Sequence, residues 1–285
     1  MAESGPTPLW TAAEAAAAVQ GTARGAWAAQ GVSIDSRTAA AGDLFVALKG
    51  PNHDGHRHVA AAFAAGATGA IVARTPDQVA DDDPRLIRVA DTMAALAGLG
   101  RAARARTAAR VVAVTGSVGK TSTKEALRLA LSAQGRTVAS RGNLNNEIGA
   151  PLSLARMPVG CDFGVFEAGM NHAGELRAIA GLIQPHVAVI TSIEAVHIEN
   201  FASVEAIAEA KGELLTGVVA GGAAVLPRDN RHFGRLRDKA HDCGIVRILD
   251  FGKAPEAYAH LLDYGVQGSA TRVAAVIGER ALSYR

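Results

Sequence analysis

The sequence has 285 residues, which is enough chain for about two domains of ordinary size. Hydrophobic residues make up 49% and charged residues 20%, a composition that excludes disordered and fibrous classes. The 29 basic and 27 acidic side chains leave a net charge of +2, so no nucleic-acid partner is implied. No apolar run predicts membrane insertion, and no secretory signal begins the chain. With Cys161 and Cys243 as two inert thiols, we expect a cytoplasmic protein.

Residues 1–108 mix short strands and helices, which predicts a small amino-terminal α/β domain. The helices are predicted at 12–19, 56–65 and 92–106, and the strands at 32–34, 44–48, 70–73 and 86–90. The alanine-rich helix 12–19 is expected on the surface. An arginine-rich stretch then runs into a strongly apolar segment, which places the domain boundary near residue 108.

Residues 109–285 alternate strands and helices regularly, which predicts a mainly parallel sheet covered by helices on both faces. The strands are predicted at 111–115, 137–140, 163–168, 187–192 and 223–226, the helices at 120–134, 146–156, 173–183 and 203–219, and a terminal hairpin at 273–277 and 281–284. Ligands of such sheets bind beyond the carboxyl ends of the strands, so we expect binding and catalytic residues at that edge.

A glycine-rich loop, TGSVGKT at residues 115–121, joins the first of these strands to a helix. Its two glycines allow a tight turn, so that backbone N–H groups and the helix amino end converge on an anion. The loop is two residues shorter than the common phosphate-loop pattern and has Val114 in place of the first glycine. Its strand–loop–helix context still favours a nucleotide site over a chance turn. Lys120 would reach the outer phosphates, and Thr121 would bind Mg²⁺.

Two further residues follow strands at the same edge and are candidate Mg²⁺ ligands. Glu167 ends a predicted strand, and His197 lies in the segment after the next one. Taken alone, such a glutamate is more often a solvated surface residue, and such a histidine is more often structural. The phosphate loop at the same edge favours a metal role for Glu167.

Two polar features of the second domain are ambiguous from the residues alone. Lys211, in IAEAKGE, is typical of a surface lysine paired with Glu209 or Glu213. The cluster NLNN at 143–146 offers amide donors and acceptors at the active edge. A turn followed by a helix cap, with Asn146 as the cap, explains the same cluster without a ligand.

Four motifs in the second domain are more specific in combination than any of them alone. In chain order they are TGSVGKTSTKE, GNLNNEIGAPLSL, FEAGMNHAGEL and HIENFASVEAIAEAKGE. Together they resemble the central ATPase domain of the Mur ligases of bacterial cell-wall synthesis, which use this short phosphate loop. The upstream stretch is similar to that family's amino-terminal domain, which holds the UDP end of the substrate; it reads IDSRTAAAGDLFVALKGPNHDGHRHVAAAFAAGA. The second and third motifs resemble the MurF type more than the MurE type.

The resemblance implies a role for each matching residue. The implied ATP-binding residues are Gly116, Ser117, Val118, Gly119, Lys120, Thr121 and Ser122. The implied ligands of two Mg²⁺ ions are Thr121, Glu167, His197 and Lys211, the last as a carbamate formed with CO₂. The implied catalytic residues are Lys120, Glu167, His197 and Lys211. The implied substrate contacts are Ser36, Arg37, Asp54, His56, Asn143, Asn146 and Asn171.

The resemblance also implies the reaction: an ATP-dependent ligase adds D-Ala-D-Ala to UDP-MurNAc-tripeptide through an acyl phosphate. The expected enzyme is a monomer without nucleic-acid or membrane partners. We find no segment like the D-[DS]-Y-N-A-N-P of the family's carboxyl-terminal domain. The carboxyl-terminal domain is therefore expected to be absent from this chain, and the chain to be inactive alone. Residues 109–285 are expected to be an incomplete central domain.

Several alternatives remain open. A MurE-like amino-acid ligase shares the superfamily, whereas folylpolyglutamate-like ligases lack the DSR, GDLFVAL and DGH segments found here. A nucleotide-sugar-binding module without catalysis fits the missing domain. An ordinary phosphate-loop kinase predicts the longer loop.

Overall fold

The computed structural model describes residues 7–50, 53–142, 144–196, 198–268 and 270–285. The predicted site residues Asn143 and His197 lie outside the described residues. Contacts divide the chain into two compact units. Unit 1 comprises Met1–Ala109 and Ile148–Cys161, and unit 2 comprises Arg110–Glu147 and Asp162–Arg285.

The described residues form three sheets and eight α-helices. The strands of unit 1 are β1 (Trp10–Thr11), β2 (Thr22–Ala23), β3 (Ala28–Ala29), β4 (Gly31–Ser33), β5 (Asp43–Val46), β6 (Gly69–Val72) and β7 (Leu86–Arg88). The strands of unit 2 are β8 (Arg110–Thr115), β9 (Thr137–Ala139), β10 (Phe163–Glu167), β11 (Val187–Ile190), β12 (Ala223–Pro227), β13 (Arg247–Gly252), β14 (Ala259–Gln267), β15 (Ala270–Ile277) and β16 (Arg280–Tyr284). The helices are α1 (Ala12–Val19), α2 (Val59–Ala64), α3 (Thr92–Ala105), α4 (Lys120–Ser132), α5 (Gly149–Ala155), α6 (Glu175–Ile183), α7 (Val204–Gly212) and α8 (Phe233–Asp242).

Unit 1 is built on a five-stranded sheet in the order β2-β7-β6-β5-β4. Strands β4 to β7 are parallel, and β2 joins β7 antiparallel at one edge, while β1 and β3 form a separate short pair. Phe45, Val72 and Leu86 are buried against Val59 and Ala62 of α2. The helix α1, expected on the surface, buries Ala12, Ala15, Ala16 and Val19, because its small residues recur with helical spacing.

The helix α5 packs with unit 1, although the expected division places residues 148–161 in the second domain. Gly100 of α3 lies so close to Pro151 of α5 that a Cβ there would be 3.1 Å from the proline backbone. Trp10 Nε1 donates to Ala155 O at 2.9 Å, and Arg156 Nε donates to Val32 O at 2.7 Å. These contacts join α5 to three elements of unit 1. The boundary near residue 108 itself stays a prediction about domains.

Unit 2 is built on a nine-stranded sheet in the order β16-β15-β14-β13-β12-β11-β8-β10-β9. The pairs from β9 to β14 are parallel, and β14, β15 and β16 are antiparallel. Val114, Val165 and Val189 share the face that packs against Leu127 and Leu131 of α4. The alternate residues of these strands point to the other face and are buried too, among them Ala113, Phe166 and Ile190. The predicted α/β class is confirmed.

The structure differs from the predicted elements of unit 2 in three places. The helix expected over 203–219 ends at Gly212, and a 3₁₀ helix over Glu213–Gly217 follows. The helix α8 and the strands β13 and β14 were not predicted; in α8, only Leu236 and Ala240 are buried, which leaves little apolar periodicity. The terminal hairpin is part of a three-stranded meander. No helix of the described residues is long and apolar enough to span a membrane.

Two helical glycines provide a matched test of packing. A Cβ on Gly98 of α3 would lie 2.6 Å from the carbonyl oxygen of Ala18, whereas nothing lies within 4 Å of a Cβ on Gly181 of α6. We expect Gly98→Ala to lower the free energy of unfolding by about 1–3 kcal/mol, because overpacking against backbone outweighs the gain in helix propensity. Gly181→Ala should raise it by about 0.5–1 kcal/mol. Urea unfolding of both variants checks this; equal midpoints would contradict it.

Candidate active site

The glycine-rich loop leaves the carboxyl end of β8, at the edge of the sheet predicted from the sequence. Gly116 has φ +150° and Gly119 has φ +83°, in the region that L side chains rarely adopt. A Cβ on Gly116 would also clash with Thr191 Oγ1. Both glycines are therefore required by the backbone path, which turns directly into α4.

A second loop, at residues 191–194 after β11, holds the glycine-rich loop in place. Thr191 Oγ1 donates to Val118 O at 2.5 Å, and Val118 N donates to Ser192 Oγ at 3.1 Å. Ser117 N donates to Ser192 O at 2.9 Å. Ser117 Oγ donates to Glu194 O at 3.0 Å and accepts from Glu194 N at 2.9 Å. These bonds fix the loop without using the amides of α4.

The first amides of α4 have no protein acceptor among the described residues. The first hydrogen bond of the helix runs from Thr123 N to Gly119 O at 3.0 Å, which leaves the amides of Lys120, Thr121 and Ser122 free. They lie at the positive end of the helix dipole. Lys120 Nζ donates to Gly116 O at 2.7 Å and so stays beside the loop. Oriented amides and an ammonium group together suit a phosphate chain.

A hydroxyl and a carboxylate meet beside these amides. Thr121 Oγ1 donates to Glu167 Oε2 at 2.9 Å, and Asn145 Nδ2 donates to Glu167 Oε1 at 2.8 Å. Glu167 is the last residue of β10 and is 3% exposed. The structure thus brings Lys120, Thr121 and Glu167 together, as expected. Their roles in binding stay predictions.

The donor set of this pair fits Mg²⁺. Mg²⁺ prefers oxygen ligands and is usually held by one or two carboxylates together with phosphate oxygens and water. Thr121 and Glu167 supply a hydroxyl and a carboxylate next to the free amides. Within the described ranges, no three His, Cys, Asp or Glu side chains are grouped to hold a metal ion. An ion held by these two oxygens would take its remaining ligands from phosphate and water.

Sequence reasoning missed Asn145, whose side chain contacts Glu167. Its carbonyl oxygen also accepts from Gly169 N at 2.7 Å, so it joins the segment after β9 to the segment after β10. Asn146, chosen as a substrate contact, is exposed. The motif NLNN contained the signal, but its spacing does not tell which member points to the carboxylate.

Lys211 lies in the last turn of α7 and is 3% exposed. Neither expected surface partner is used: Glu209 pairs with Arg235 at 2.6 Å, and Glu213 accepts from Gly174 N at 2.9 Å. Burial, and secondarily the charge of Lys120, lower the pKa of Lys211 to about 8. Around neutral pH this amine is therefore much closer to losing its proton than an ordinary lysine.

Glu213 organises the segment between β10 and α6. Its carboxylate accepts from the backbone amides of Gly174 and Arg177, and so caps the amino end of α6. Asn171, a predicted substrate contact, lies in this segment with an exposed side chain. Its backbone N–H donates to Glu175 Oε2 at 2.7 Å. Asn171 is thus available at the surface of unit 2.

Unit 1 contains a cavity of about 550 Å³. The residues lining it are Ile34, Asp35, Ser36, Arg37, Phe45, His53 and His58. The rings of His53 and His58 are stacked, with their centroids 5.1 Å apart. The side chain of Arg37 is 85% exposed and contacts Asp35, and its hydrogen bonds lower the pKa of Asp35 to about 2. The cavity thus offers a guanidinium, a hydroxyl and flat rings.

Asp54 and His56, expected to contact a substrate, contact other residues of unit 1, and their role in substrate binding stays a prediction. His56 is 1% exposed; Nδ1 lies 2.6 Å from Asp54 Oδ1, and Nε2 accepts from Ala73 N at 2.9 Å. Both ring nitrogens are therefore occupied. Asp54 also caps the 3₁₀ helix Gly55–His58 and contacts Arg74. Burial raises the pKa of Asp54, but the bonds from Arg74 and His56 outweigh it, so the pKa falls far below its ordinary value. The pair positions the backbone beside the cavity.

The lowered pKa of Lys211 predicts a pH-dependent stability. Below pH 8 the folded and the unfolded chain both hold the proton, and the folded chain carries the cost of a buried charge. Between pH 8 and the ordinary value of 10.5, only the unfolded chain holds it, so this lysine favours folding more as pH rises. We expect Lys211→Met to be more stable than the unchanged protein at pH 7 by about 1–3 kcal/mol, because a buried charge is removed.

The same comparison at pH 10 should show a smaller difference. The exposed Lys253 gives the control Lys253→Met, for which we expect little change at either pH. Denaturant unfolding at the two pH values measures the effect. A stability difference for Lys211→Met that does not vary with pH would show that the pKa is not lowered.

Comparison with known proteins places this geometry in one family. The model of the Mur ligase middle domain matches residues 114–281, and that of the Mur ligase family catalytic domain matches residues 28–104. A UDP-N-acetylmuramoyl-tripeptide–D-alanyl-D-alanine ligase of Rickettsia prowazekii is 36% identical over 237 residues, which are 83% of this chain and 52% of that protein. The chain thus spans about half the length of the curated relatives it matches.

Solved structures agree with the sequence matches. A crystal structure of MurF from Acinetobacter baumannii has a TM-score of 0.84 and 32% identity, and covers 97% of this chain and 60% of that one. A MurF ligase of Thermotoga maritima in complex with ADP has a TM-score of 0.74 and 29% identity, and covers 89% and 57%. With the middle-domain model matching more than half of its residues, this chain belongs to the Mur ligase family.

Proposed function

We propose that this chain supplies the UDP-sugar-binding and ATP-binding parts of a ligase that joins D-Ala-D-Ala to UDP-MurNAc-tripeptide. The observation that carries the proposal is the set of free amides at Lys120, Thr121 and Ser122, placed beside the oxygen pair of Thr121 and Glu167. The named activity of the relatives supplies the substrates. The MurE-type alternative differs in the amine that is added.

The proposed reaction needs charge neutralisation more than covalent help from the protein. A substrate carboxylate attacks the γ-phosphorus of ATP, ADP leaves, and an acyl phosphate forms. The amine of D-Ala-D-Ala then adds to the acyl carbon, and phosphate leaves as the amide bond is completed. Lys120 and the three free amides would stabilise the negative charge of the transferred phosphoryl group. Bound Mg²⁺ would supply further charge neutralisation, with Thr121 and Glu167 as its ligands, and His197 as a further predicted ligand.

We also propose that Lys211 is the site of a carbamate. Its lowered pKa makes the neutral amine accessible near pH 8, and only the neutral amine attacks CO₂. The new N–C bond releases one proton and leaves an anionic carbamate, which would replace a positive charge near Lys120 by a negative one. Its oxygen would then be available to a second Mg²⁺ ion.

The UDP end of the substrate would bind in the cavity of unit 1. Ser36 and Arg37 offer a hydroxyl and a guanidinium for phosphate oxygens, and the stacked rings of His53 and His58 offer a flat surface for a base. Asn146 and Asn171, with Asn143, remain proposed contacts of unit 2 with substrate or ATP. The proposal includes a monomer acting in the cytoplasm, where ATP and UDP-linked sugars are made.

Replacing Lys120 tests the nucleotide site directly. We expect this chain to bind ADP with Mg²⁺ in titration calorimetry, and Lys120→Ala to weaken that binding at least about tenfold, because a hydrogen-bonded charge is lost. Lys253→Ala should bind like the unchanged chain. In a complete enzyme that includes a carboxyl-terminal domain, Lys120→Ala should abolish ligation.

The same calorimetry separates the proposal from its main rival. Binding of UDP-MurNAc-tripeptide without any binding of ADP would identify a nucleotide-sugar module and contradict the ATPase assignment. Near-normal turnover of Lys120→Ala in the complete enzyme would contradict the role of that lysine. Ligation with an amino acid in place of D-Ala-D-Ala would favour the MurE-type alternative.

A further inference from the structure

One buried charge of unit 2 has no part in the proposed reaction. Lys124 lies on α4, three residues after Thr121, and is 1% exposed. Its Nζ donates to Ser140 O at 2.8 Å and lies 3.0 Å from Glu125 Oε1, a carboxylate that is half exposed. Burying an ammonium group is costly unless it is paired and hydrogen-bonded. An apolar side chain would fill this position without that cost.

The partner of Lys124 is itself a partner of Glu167. Ser140 directly follows β9, and its Oγ accepts from Glu167 N at 3.0 Å. Lys124 therefore hydrogen-bonds to the carbonyl of Ser140, and the hydroxyl of Ser140 hydrogen-bonds to the backbone of Glu167. The carboxylate of Glu167 then returns to α4 through Thr121 Oγ1 at 2.9 Å. These four residues form a closed ring of contacts across α4 and the ends of β9 and β10.

We propose that Lys124 is a positioning residue for the Mg²⁺-bound nucleotide. The proposal rests on the proposed function, since it concerns the same site. Thr121 and Glu167 come from different elements, and ligands of one ion must keep their separation within about 0.5 Å. The Lys124–Ser140 bond fixes the end of β9 against α4, and through Ser140 it fixes the backbone that carries Glu167. Lys124 itself touches neither the nucleotide nor the metal.

The test measures how much Mg²⁺ improves the binding of ADP to this chain. Titration calorimetry gives the dissociation constant of ADP with MgCl₂ and with EDTA, and their ratio is the Mg²⁺ enhancement. Lys124→Met removes the ammonium group and keeps a side chain of similar length. We expect its Mg²⁺ enhancement to fall about tenfold, the usual size of a lost charged hydrogen bond, while metal-free binding changes less than about twofold.

Three further variants make the result specific. Lys124→Arg keeps a buried donor and should restore part of the enhancement. Ser140→Ala keeps the carbonyl that Lys124 contacts but removes the acceptor of Glu167 N, and should also lower the enhancement. Arg128→Met, one turn along the exposed side of α4, removes another cation beside Glu125 and should leave it unchanged. If Lys124→Met does not fold, Lys124→Arg and Ser140→Ala carry the test.

The outcomes separate this inference from the proposed function. A lower melting temperature of Lys124→Met with an unchanged Mg²⁺ enhancement would make Lys124 merely structural and overturn the inference alone. An unchanged enhancement in Ser140→Ala would remove the link to Glu167 and overturn it as well. An unchanged chain that binds no ADP, or binds it without regard to Mg²⁺, would overturn the proposed function and this inference with it.

Discussion

The arrangement of the glycine-rich loop follows from one constraint: among the described residues, no acceptor pairs with the first amides of α4. The first N–H groups of any α-helix have no partner within the helix, and no other part of the described chain supplies one here. Gly116 and Gly119 have positive φ, and a Cβ on Gly116 would clash with Thr191 Oγ1, so the backbone turns into α4 only with glycine at these positions. The loop 191–194 takes up Ser117 and Val118 instead, and the helix end stays open.

The amino end of α4 and the side chain of Lys120 give this place a positive potential that favours an anion. Lys120 adds a positive charge at the mouth of the loop, and the same charge helps to lower the pKa of Lys211. A polyphosphate bound as proposed would offset the charge of Lys120 and so weaken that contribution. Burial, the larger cause, remains. The pKa of Lys211 would thus depend on whether the loop is occupied, although Lys120 and Lys211 belong to different helices.

Sequence patterns predicted the residues that lie at strand ends, and missed the residues whose importance depends on burial. The phosphate loop, Thr121 and Glu167 could be located because each follows a short apolar strand, and parallel strands end at one edge. Lys124 has the same helical spacing as an exposed lysine, and Asn145 has neighbours of its own kind, so only packing distinguishes them. The sequence context of His56 likewise does not show that Asp54 and Ala73 contact both ring nitrogens, and its role in substrate binding stays a prediction.

The placement of α5 bears on how this polypeptide can be divided. A fragment that stops at Ala109 would lack Ala155, whose carbonyl oxygen accepts the hydrogen bond from the indole of Trp10. It would also lack Pro151, which packs against Gly100. The surface of α3 that packs against α5 would then face solvent. Conversely, excising 148–161 would leave two free ends, at Glu147 and Asp162, within the second unit. The two units are therefore compact in space but not separable by a single cut in the gene.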